Sequence, residues 1–185
     1  MPTTNTASKS KSDAIAMLKE DHEKVKKLFK QFERLHDDEE DEEAEEVAKQ
    51  ICAELTIHAK VEEEIFYPAV RAAVDDEDLL DEAEVEHATA KDLIAQIESE
   101  SPSDDKYAAK VIVLGEYINH HVEEEQNEMF PKAKRAKLDM TALGQQIAAR
   151  KQELKAEMGL EDDEEGEESA PPKKGATSKK KTAKN

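Results

Sequence analysis

This chain of 185 residues has no tryptophan, only five glycines and a single cysteine, Cys52. A single thiol cannot form an intramolecular disulfide or supply a cysteine cluster for zinc or iron–sulfur binding. Because Cys52 stands beside Ile51 and Leu55, we interpret it as a small, partly buried core residue. The sequence also lacks a glycine-rich phosphate-binding loop and any Ser, Cys or Lys nucleophile paired with a base. Nucleotide binding and covalent catalysis are therefore disfavoured.

Long apolar runs are absent as well, and acidic residues outnumber basic ones. No stretch approaches the roughly 20 apolar residues of a membrane span, and the first residues lack the apolar core of a secretory signal. These patterns predict a soluble, cytoplasmic protein without a membrane partner. The chain has 46 acidic and 27 basic residues and a net charge of -19, which argues against nucleic acid as a main partner.

Apolar residues recur at spacings of three and four in four segments, a pattern typical of helices with one buried face. Ser12 or Asp13 is a suitable N-cap for the first helix, and Pro68 and Pro131 are expected to kink or end the second and fourth. Short polar connections between the segments predict an all-α, up-down-up-down four-helix bundle. The apolar members of the four stripes are Ile15, Leu18, Val25, Phe29 and Phe32, then Ile51, Leu55 and Ile65, then Leu80, Ala83, Ala90, Ile94 and Ile97, then Val111, Leu114 and Ile118.

The ends of the chain have a different composition. Residues 1–11 are rich in Ser, Thr and Lys and are expected to be a disordered lead-in to a bundle domain over residues 12–135. Residues 136–160 suit a fifth helix, and residues 161–185 form an acidic and then Lys-rich tail that we also expect to be disordered. Such tails could contact a protein partner. The apolar positions of the fifth helix are Met140, Leu143, Ile147, Leu154 and Met158.

Polar side chains interrupt all four apolar stripes. His22 to His58 spans 36 residues and His87 to His121 spans 34, so the first two helices repeat in the last two. His58 and His121 each precede a glutamate by four residues, and each precedes a proline by ten. Residues four apart share a helix face, so an imidazole and a carboxylate can point to the same place. The six candidate metal ligands are His22, His58, Glu62, His87, His121 and Glu125.

A metal cluster would satisfy all six of these otherwise costly buried groups. Imidazole and carboxylate donors suit iron, manganese or zinc, and two carboxylates with two histidines per metal describe a two-metal centre, with iron as the favoured metal.

The polar neighbours of these six residues are interpreted as surface groups. His120 and His36 lie off the stripes. Asp21 and Glu86 could orient the histidine rings, although exposed acids are the simpler interpretation. The other acids interpreted as solvated are Glu63, Glu64, Glu123 and Glu124.

Four stretches of the sequence carry a resemblance to a known family. These stretches are Asp21-His22-Glu23, "HAKVEEEIFYP" from His58, Glu86-His87, and the "HHVEEEQNEMFP" that contains His121. Over about residues 12–135 the chain resembles the hemerythrin-like, HHE cation-binding domains.

The resemblance implies a non-haem di-iron centre with two iron ions bridged by oxo or hydroxo. It implies that His22 and His58 bind one iron, that His87 and His121 bind the other, and that the two glutamates bridge them. The chain departs from oxygen-carrying hemerythrins at Lys91, where these have a fifth histidine. Reversible oxygen transport is therefore in doubt.

Several functions remain open at this point. The leading hypothesis is a di-iron protein that senses, buffers or scavenges iron, oxygen or reactive oxygen and nitrogen species, with O2, peroxide or NO as small ligands and a link to oxidative stress. One alternative is a peroxidase-like or catalase-like enzyme, although metal binding without catalysis is favoured. Another is a helical interaction module that acts through its charged tails.

Overall fold

The computed structural model describes residues 13–160, and every regular element in this range is helical. The all-α prediction is confirmed for this range, whereas Ser12 and the predicted disordered segments 1–11 and 161–185 lie outside the described residues. The elements are α1 (Ala14–Asp37), α2 (Asp41–Val61), the π-helical segment π1 (Glu62–Phe66), α3 (Tyr67–Ala73), α4 (Glu77–Ser99), α5 (Tyr107–Glu124), the π-helical segment π2 (Glu125–Met129), α6 (Phe130–Arg135) and α7 (Met140–Glu157).

Four antiparallel rods build the bundle. Helix α2 continues through π1 into α3, and α5 continues through π2 into α6, so each forms one long rod. Helix α1 packs against α2 and α5, and α4 packs against the same two helices from the other side. The up-down-up-down prediction is therefore confirmed. Within residues 13–160, no helix combines the length and apolar composition needed to cross a bilayer.

Local sequence signals explain where the first two helices begin. The Asp13 carboxylate accepts a hydrogen bond from the Ala16 amide at 2.8 Å, which caps α1 as predicted. Helix α2 begins with three acidic residues, Asp41, Glu42 and Glu43, whose charges suit the positive end of a helix dipole.

Two apolar clusters fill the bundle, one at each end, and the polar candidate site lies between them. The first cluster lies around Phe29, Phe32, Ile51 and Leu114. The second, here the C-terminal cluster, lies around Leu18, Phe66, Tyr67, Leu80 and Phe130 and also contains side chains from α7. Along every rod the histidine falls where one cluster ends and the other begins, so the site forms a polar layer across the bundle.

The two prolines do not end their rods, which excludes one of the two outcomes expected from the sequence. The second rod continues past Pro68 to Ala73, and the fourth continues past Pro131 to Arg135. Each proline lies in the first turn of the helix that follows a π-helical segment. A proline lacks the N–H that a regular helix would use and its ring crowds the carbonyl four residues earlier, and the wider π turn relieves both problems.

Helix α7 confirms the expected fifth helix. It packs on α1, α2 and π1, where Ile147 and Leu154 are fully buried in the C-terminal cluster. Met158 was predicted to belong to this apolar face, but it follows the last residue of the helix and is 39% exposed. Arg150 of α7 binds Glu64 at 2.6 Å, so charged as well as apolar contacts hold α7 on the bundle.

Candidate metal centre

Four histidines from four different helices meet at the centre of the bundle as two close pairs. The Nε2 atoms of His22 and His58 are 3.0 Å apart, and those of His87 and His121 are 3.1 Å apart. All four side chains are buried. Two nitrogens at about this separation match adjacent ligand positions around a metal with bonds of about 2.1 Å.

Both predicted glutamates lie between the two histidine pairs. Oε2 of Glu62 is 3.2 Å from Nε2 of His58 and 3.4 Å from Nε2 of His87. Oε2 of Glu125 is 3.2 Å from Nε2 of His22 and 3.7 Å from Nε2 of His121. Each carboxylate thus contacts one histidine of each pair. The structure brings all six residues predicted from the sequence into one cluster.

The carboxylates lack the partners that buried charges need. Both oxygens of Glu62 and Oε2 of Glu125 are buried without a hydrogen-bond partner. Burial, followed by the negative charge of Glu125, raises the pKa of Glu62 well above its ordinary value. Burial also opposes ionisation of Glu125, but the nearby His121 and His22 lower its pKa. A cation among these oxygens and the imidazole nitrogens would compensate the buried charge, so the donor set fits a metal that binds nitrogen and oxygen.

The two π-helical segments place the carboxylates. Segment π1 begins at Glu62 and π2 begins at Glu125, at equivalent positions of the repeat. In a π turn the helix is wider than an α-helix, and such turns occur frequently at functional sites. The side chains that follow each glutamate therefore take positions that a regular helix would not give them.

The outer nitrogen of every histidine also has a partner. Nδ1 of His58 lies 3.2 Å from Asp21, Nδ1 of His87 lies 2.9 Å from Glu63, and Nδ1 of His121 lies 2.6 Å from Glu86. Since an ionised carboxylate only accepts, Nδ1 of each of these three rings carries a proton, and Nε2 is the nitrogen that points into the cluster. The interpretation of these three acids as surface groups is therefore wrong, and for Asp21 and Glu86 the contacts match the alternative given above, in which they orient the histidine rings.

The fourth partner is an amide, which the sequence analysis missed. The side-chain nitrogen of Gln126 lies 3.1 Å from Nδ1 of His22. Glu63 and Gln126 are equivalent, because each follows a glutamate of the site by one residue. These matching positions could have indicated that both residues hold a histidine ring. A regular helix, however, would have turned both side chains away from the histidines.

Two lysines bind carboxylates that hold histidine rings. Lys91 lies 2.5 Å from Glu63, and Lys151 of α7 binds Asp21. Hydrogen bonds to His87 and Lys91 lower the pKa of Glu63 to about 2, against the effect of burial. Burial also opposes ionisation of Asp21, but His58 and Lys151 lower its pKa. Lys91, which stands where oxygen carriers have a fifth histidine, therefore neutralises an outer carboxylate.

An aromatic residue distinguishes the two histidine pairs. The Tyr67 hydroxyl donates to Oε1 of Glu125 at 3.0 Å and lies 3.2 Å from Nε2 of His87. Phe130 is the equivalent residue in the second phrase, and its ring stacks on His22 with centroids 5.9 Å apart. Burial and the two glutamates raise the pKa of Tyr67 well above its ordinary value, so its hydroxyl keeps its proton. Tyr67 was not predicted, although the mismatch between Phe66-Tyr67-Pro68 and Met129-Phe130-Pro131 was visible.

A small cavity of about 20 Å³ adjoins the four histidines. This volume holds about one water-sized molecule. Apart from Asp21, the histidines and Lys91, its walls are apolar and come from α1, α2, α4 and α5. The apolar lining residues are Val25, Leu55, Ala59, Ala90, Ile94, Ile118 and Val122.

The remaining candidates lie outside the cluster. His36 is exposed, as expected, and its ring stacks on Phe32. The His120 side chain is 62% exposed and lies 3.3 Å from Glu124. Cys52 is more deeply buried than predicted, and burial raises its pKa to about 12. None of these three residues belongs to the central cluster.

The fold and the buried histidine–carboxylate cluster define a helical cation-binding domain. Residues 13–133 match the family described as Hemerythrin HHE cation binding domain, and the chain belongs to that family. It is also similar to a solved Hemerythrin HHE cation binding domain-containing protein from Mycobacterium kansasii. The TM-score is 0.65 at 24% identity, and the match covers 79% of this chain and 89% of that one, so this likeness shows the fold alone.

A curated relative is similar over much of the same region. A DNA nickase from Nostoc sp. (strain PCC 7120 / SAG 25.82 / UTEX 2576) is 33% identical over 121 residues. The match covers 64% of this chain, which spans only 32% of the length of the nickase.

Proposed function

We propose that this protein binds two iron ions in its bundle and uses them to sense, buffer or scavenge iron, oxygen or reactive oxygen and nitrogen species. One observation carries the proposal, namely that three carboxylate oxygens lie buried and unpartnered among four imidazole nitrogens. Leaving such groups without a cation would cost on the order of several kcal/mol.

The distances suggest how the ligands divide. His22 and His58 would hold one ion and His87 and His121 the other, because the Nε2 atoms are closest within these pairs. Glu62 and Glu125 would bridge the ions, since each contacts one histidine of each pair. Mixed nitrogen and oxygen ligands suit iron, which would supply binding and redox chemistry toward O2, peroxide or NO.

The surrounding residues prepare the site for that role. Asp21, Glu63 and Glu86 hold three imidazoles with their Nε2 atoms directed inward, which strengthens them as ligands. The apolar walls of the small cavity exclude bulk water and leave space for a small molecule. The Tyr67 hydroxyl can donate a proton or a hydrogen bond beside Glu125.

A peroxidase-like or catalase-like activity is the second candidate. The protonated Tyr67 hydroxyl inside the ligand cluster favours it, because a proton donor is what peroxide cleavage requires. Peroxide turnover by the iron-loaded protein that is lost in Tyr67→Phe, with iron content unchanged, would support this candidate.

Nucleic acid is the weaker candidate despite the nickase relative. The net charge of -19 opposes contact with a phosphate backbone. A cytoplasmic location and a role of the charged ends in protein binding stay predictions.

Metal analysis of the purified chain tests the proposal. We expect about two irons per chain and near-ultraviolet absorption that a chelator abolishes. His121→Ala should remove most of the iron, whereas His120→Ala, which changes the exposed neighbouring histidine, should keep it. A wild-type chain that folds but binds no iron would refute the proposal.

A further inference from the structure

The two histidine pairs differ in how they are held when no metal is bound. At His87 and His121, the partners of both Nδ1 atoms are carboxylates, Glu63 and Glu86. The two Nε2 atoms lie 3.1 Å apart, and the Tyr67 hydroxyl lies 3.2 Å from that of His87. Both rings of this pair are therefore held from outside by acids, which are the partners that best support an imidazole as a metal ligand.

The other pair has one acid and one amide as outer partners. Nδ1 of His58 lies 3.2 Å from the Asp21 carboxylate, whereas Nδ1 of His22 lies 3.1 Å from the side-chain nitrogen of Gln126. The Nε2 atoms of these two rings are 3.0 Å apart, close to the separation in the first pair. The two pairs therefore differ in the charge of one outer partner.

A neutral amide supports an imidazole ligand less strongly than a carboxylate does. An ion held by His22 and His58 therefore has weaker outer support at one of its two rings than an ion held by His87 and His121.

Solvent also reaches the pair of His22 and His58 more directly. A groove of about 250 Å³ between α1 and α5 is lined by His22 and Gln126, and by none of the other three histidines. Glu23, Lys26, Glu123 and Asn127 also line this groove, so its wall beside His22 is polar.

We propose that the two metal positions are inequivalent, and that Gln126 makes the ion at His22 and His58 exchangeable while the ion at His87 and His121 is retained. This inference rests on the two-metal function proposed above. It favours buffering or sensing of iron, because a protein that releases one ion and keeps the other stays folded as the iron supply changes.

Release of Fe2+ to a coloured chelator under argon tests the inference with the full chain. For wild type we expect two phases of about equal amplitude, with the fast phase at least about 10-fold faster. Gln126→Glu places a carboxylate where Glu63 stands in the other half, and it should slow the fast phase by about 10- to 100-fold. Glu63→Gln is the reciprocal variant and should accelerate the slow phase.

Asn127→Asp is the matched control, since it adds the same charge at the next residue, which is exposed and lines the same groove. It should leave the fast phase within about twofold of wild type. Release of both irons in a single phase, or a fast phase unchanged in a folded Gln126→Glu protein, would overturn the inference. An equal effect of Asn127→Asp would overturn it too. A chain that binds no iron would instead refute the two-metal function.

Discussion

The two halves of this chain carry the same ligands in different surroundings. Each half supplies two histidines and a glutamate at matched spacing, and each glutamate begins a π-helical segment. The half with His22 and His58 has Phe130 and the neutral Gln126 beside it, and the other half has Tyr67 and the charged Glu63. The comparison teaches that a repeat can conserve a ligand set while the residues around it give each position its own chemistry.

The largest expected effect comes from removing what the halves share. Glu62→Ala should lower the affinity for both metals by at least about 100-fold, because this carboxylate contacts His58 and His87. Isothermal titration with Fe2+ under argon measures the loss. Glu123→Ala changes an exposed glutamate of the equivalent phrase and should bind like wild type. Loss of one metal alone would show that Glu62 serves a single half.

Giving each half the aromatic residue of the other should lower the stability of the protein. Tyr67→Phe removes a buried hydrogen bond to Glu125, and Phe130→Tyr adds a hydroxyl beside His22, so each should lower the unfolding free energy of the metal-free protein by about 1–3 kcal/mol. Urea denaturation measures both. Unchanged stability of Tyr67→Phe would mean that its hydrogen bond contributes nothing.

A smaller effect is expected where the repeat differs in size. Cys52 and Gly115 are equivalent, each six residues before the histidine of its phrase. A Cβ atom at Gly115 would lie 2.9 Å from Cδ1 of Phe29. Gly115→Ala should therefore destabilise the protein by about 1 kcal/mol net, since the crowding is partly offset by the higher helix propensity of alanine. Thermal unfolding measures this, with the exposed Glu116→Ala as a near-neutral control, and a stabilised Gly115→Ala would show that Phe29 moves freely.

The smallest expected effect on stability concerns Cys52, the residue equivalent to Gly115. Burial raises the pKa of Cys52 to about 12 from 9.0, so at pH 8 the folded protein should react with iodoacetamide about 1000-fold more slowly than after unfolding in urea. Between pH 9 and 12 the unfolded chain loses this proton and the folded chain keeps it. The contribution of Cys52 to stability therefore falls as pH rises through this window. Rapid alkylation of the native protein would contradict the burial.

Helical periodicity was sufficient to predict the bundle and the cluster of six residues. A spacing of four places His58 and Glu62 on the same face of one helix. Apolar stripes on four helices must face one another to be buried. Glu63 and Gln126 could not be predicted in this way, because a regular helix turns the next residue by about 100° and away from the site. The π-helical segments change that register, and the sequence gives only a weak sign of them, in the prolines that follow without ending the rods.

The sequence pattern could not predict contacts between distant segments either. Lys151 binds Asp21 across 130 residues, and nothing in a stripe of apolar residues shows where α7 docks. The pattern of Ile147 and Leu154 predicted that a helix exists, whereas its position depends on the shape of the surface formed by α1 and α2.

The polar layer between the two apolar clusters gives the fold a built-in metal dependence. A layer of this kind contributes little hydrophobic stabilisation and concentrates buried charge in the middle of the molecule. Each ion present at 100 times its dissociation constant would add about 2.7 kcal/mol to the folding free energy. The melting temperature of the protein should therefore rise with the concentration of free metal. The lifetime of the folded chain should rise with it, so the amount of folded protein would depend on the available metal.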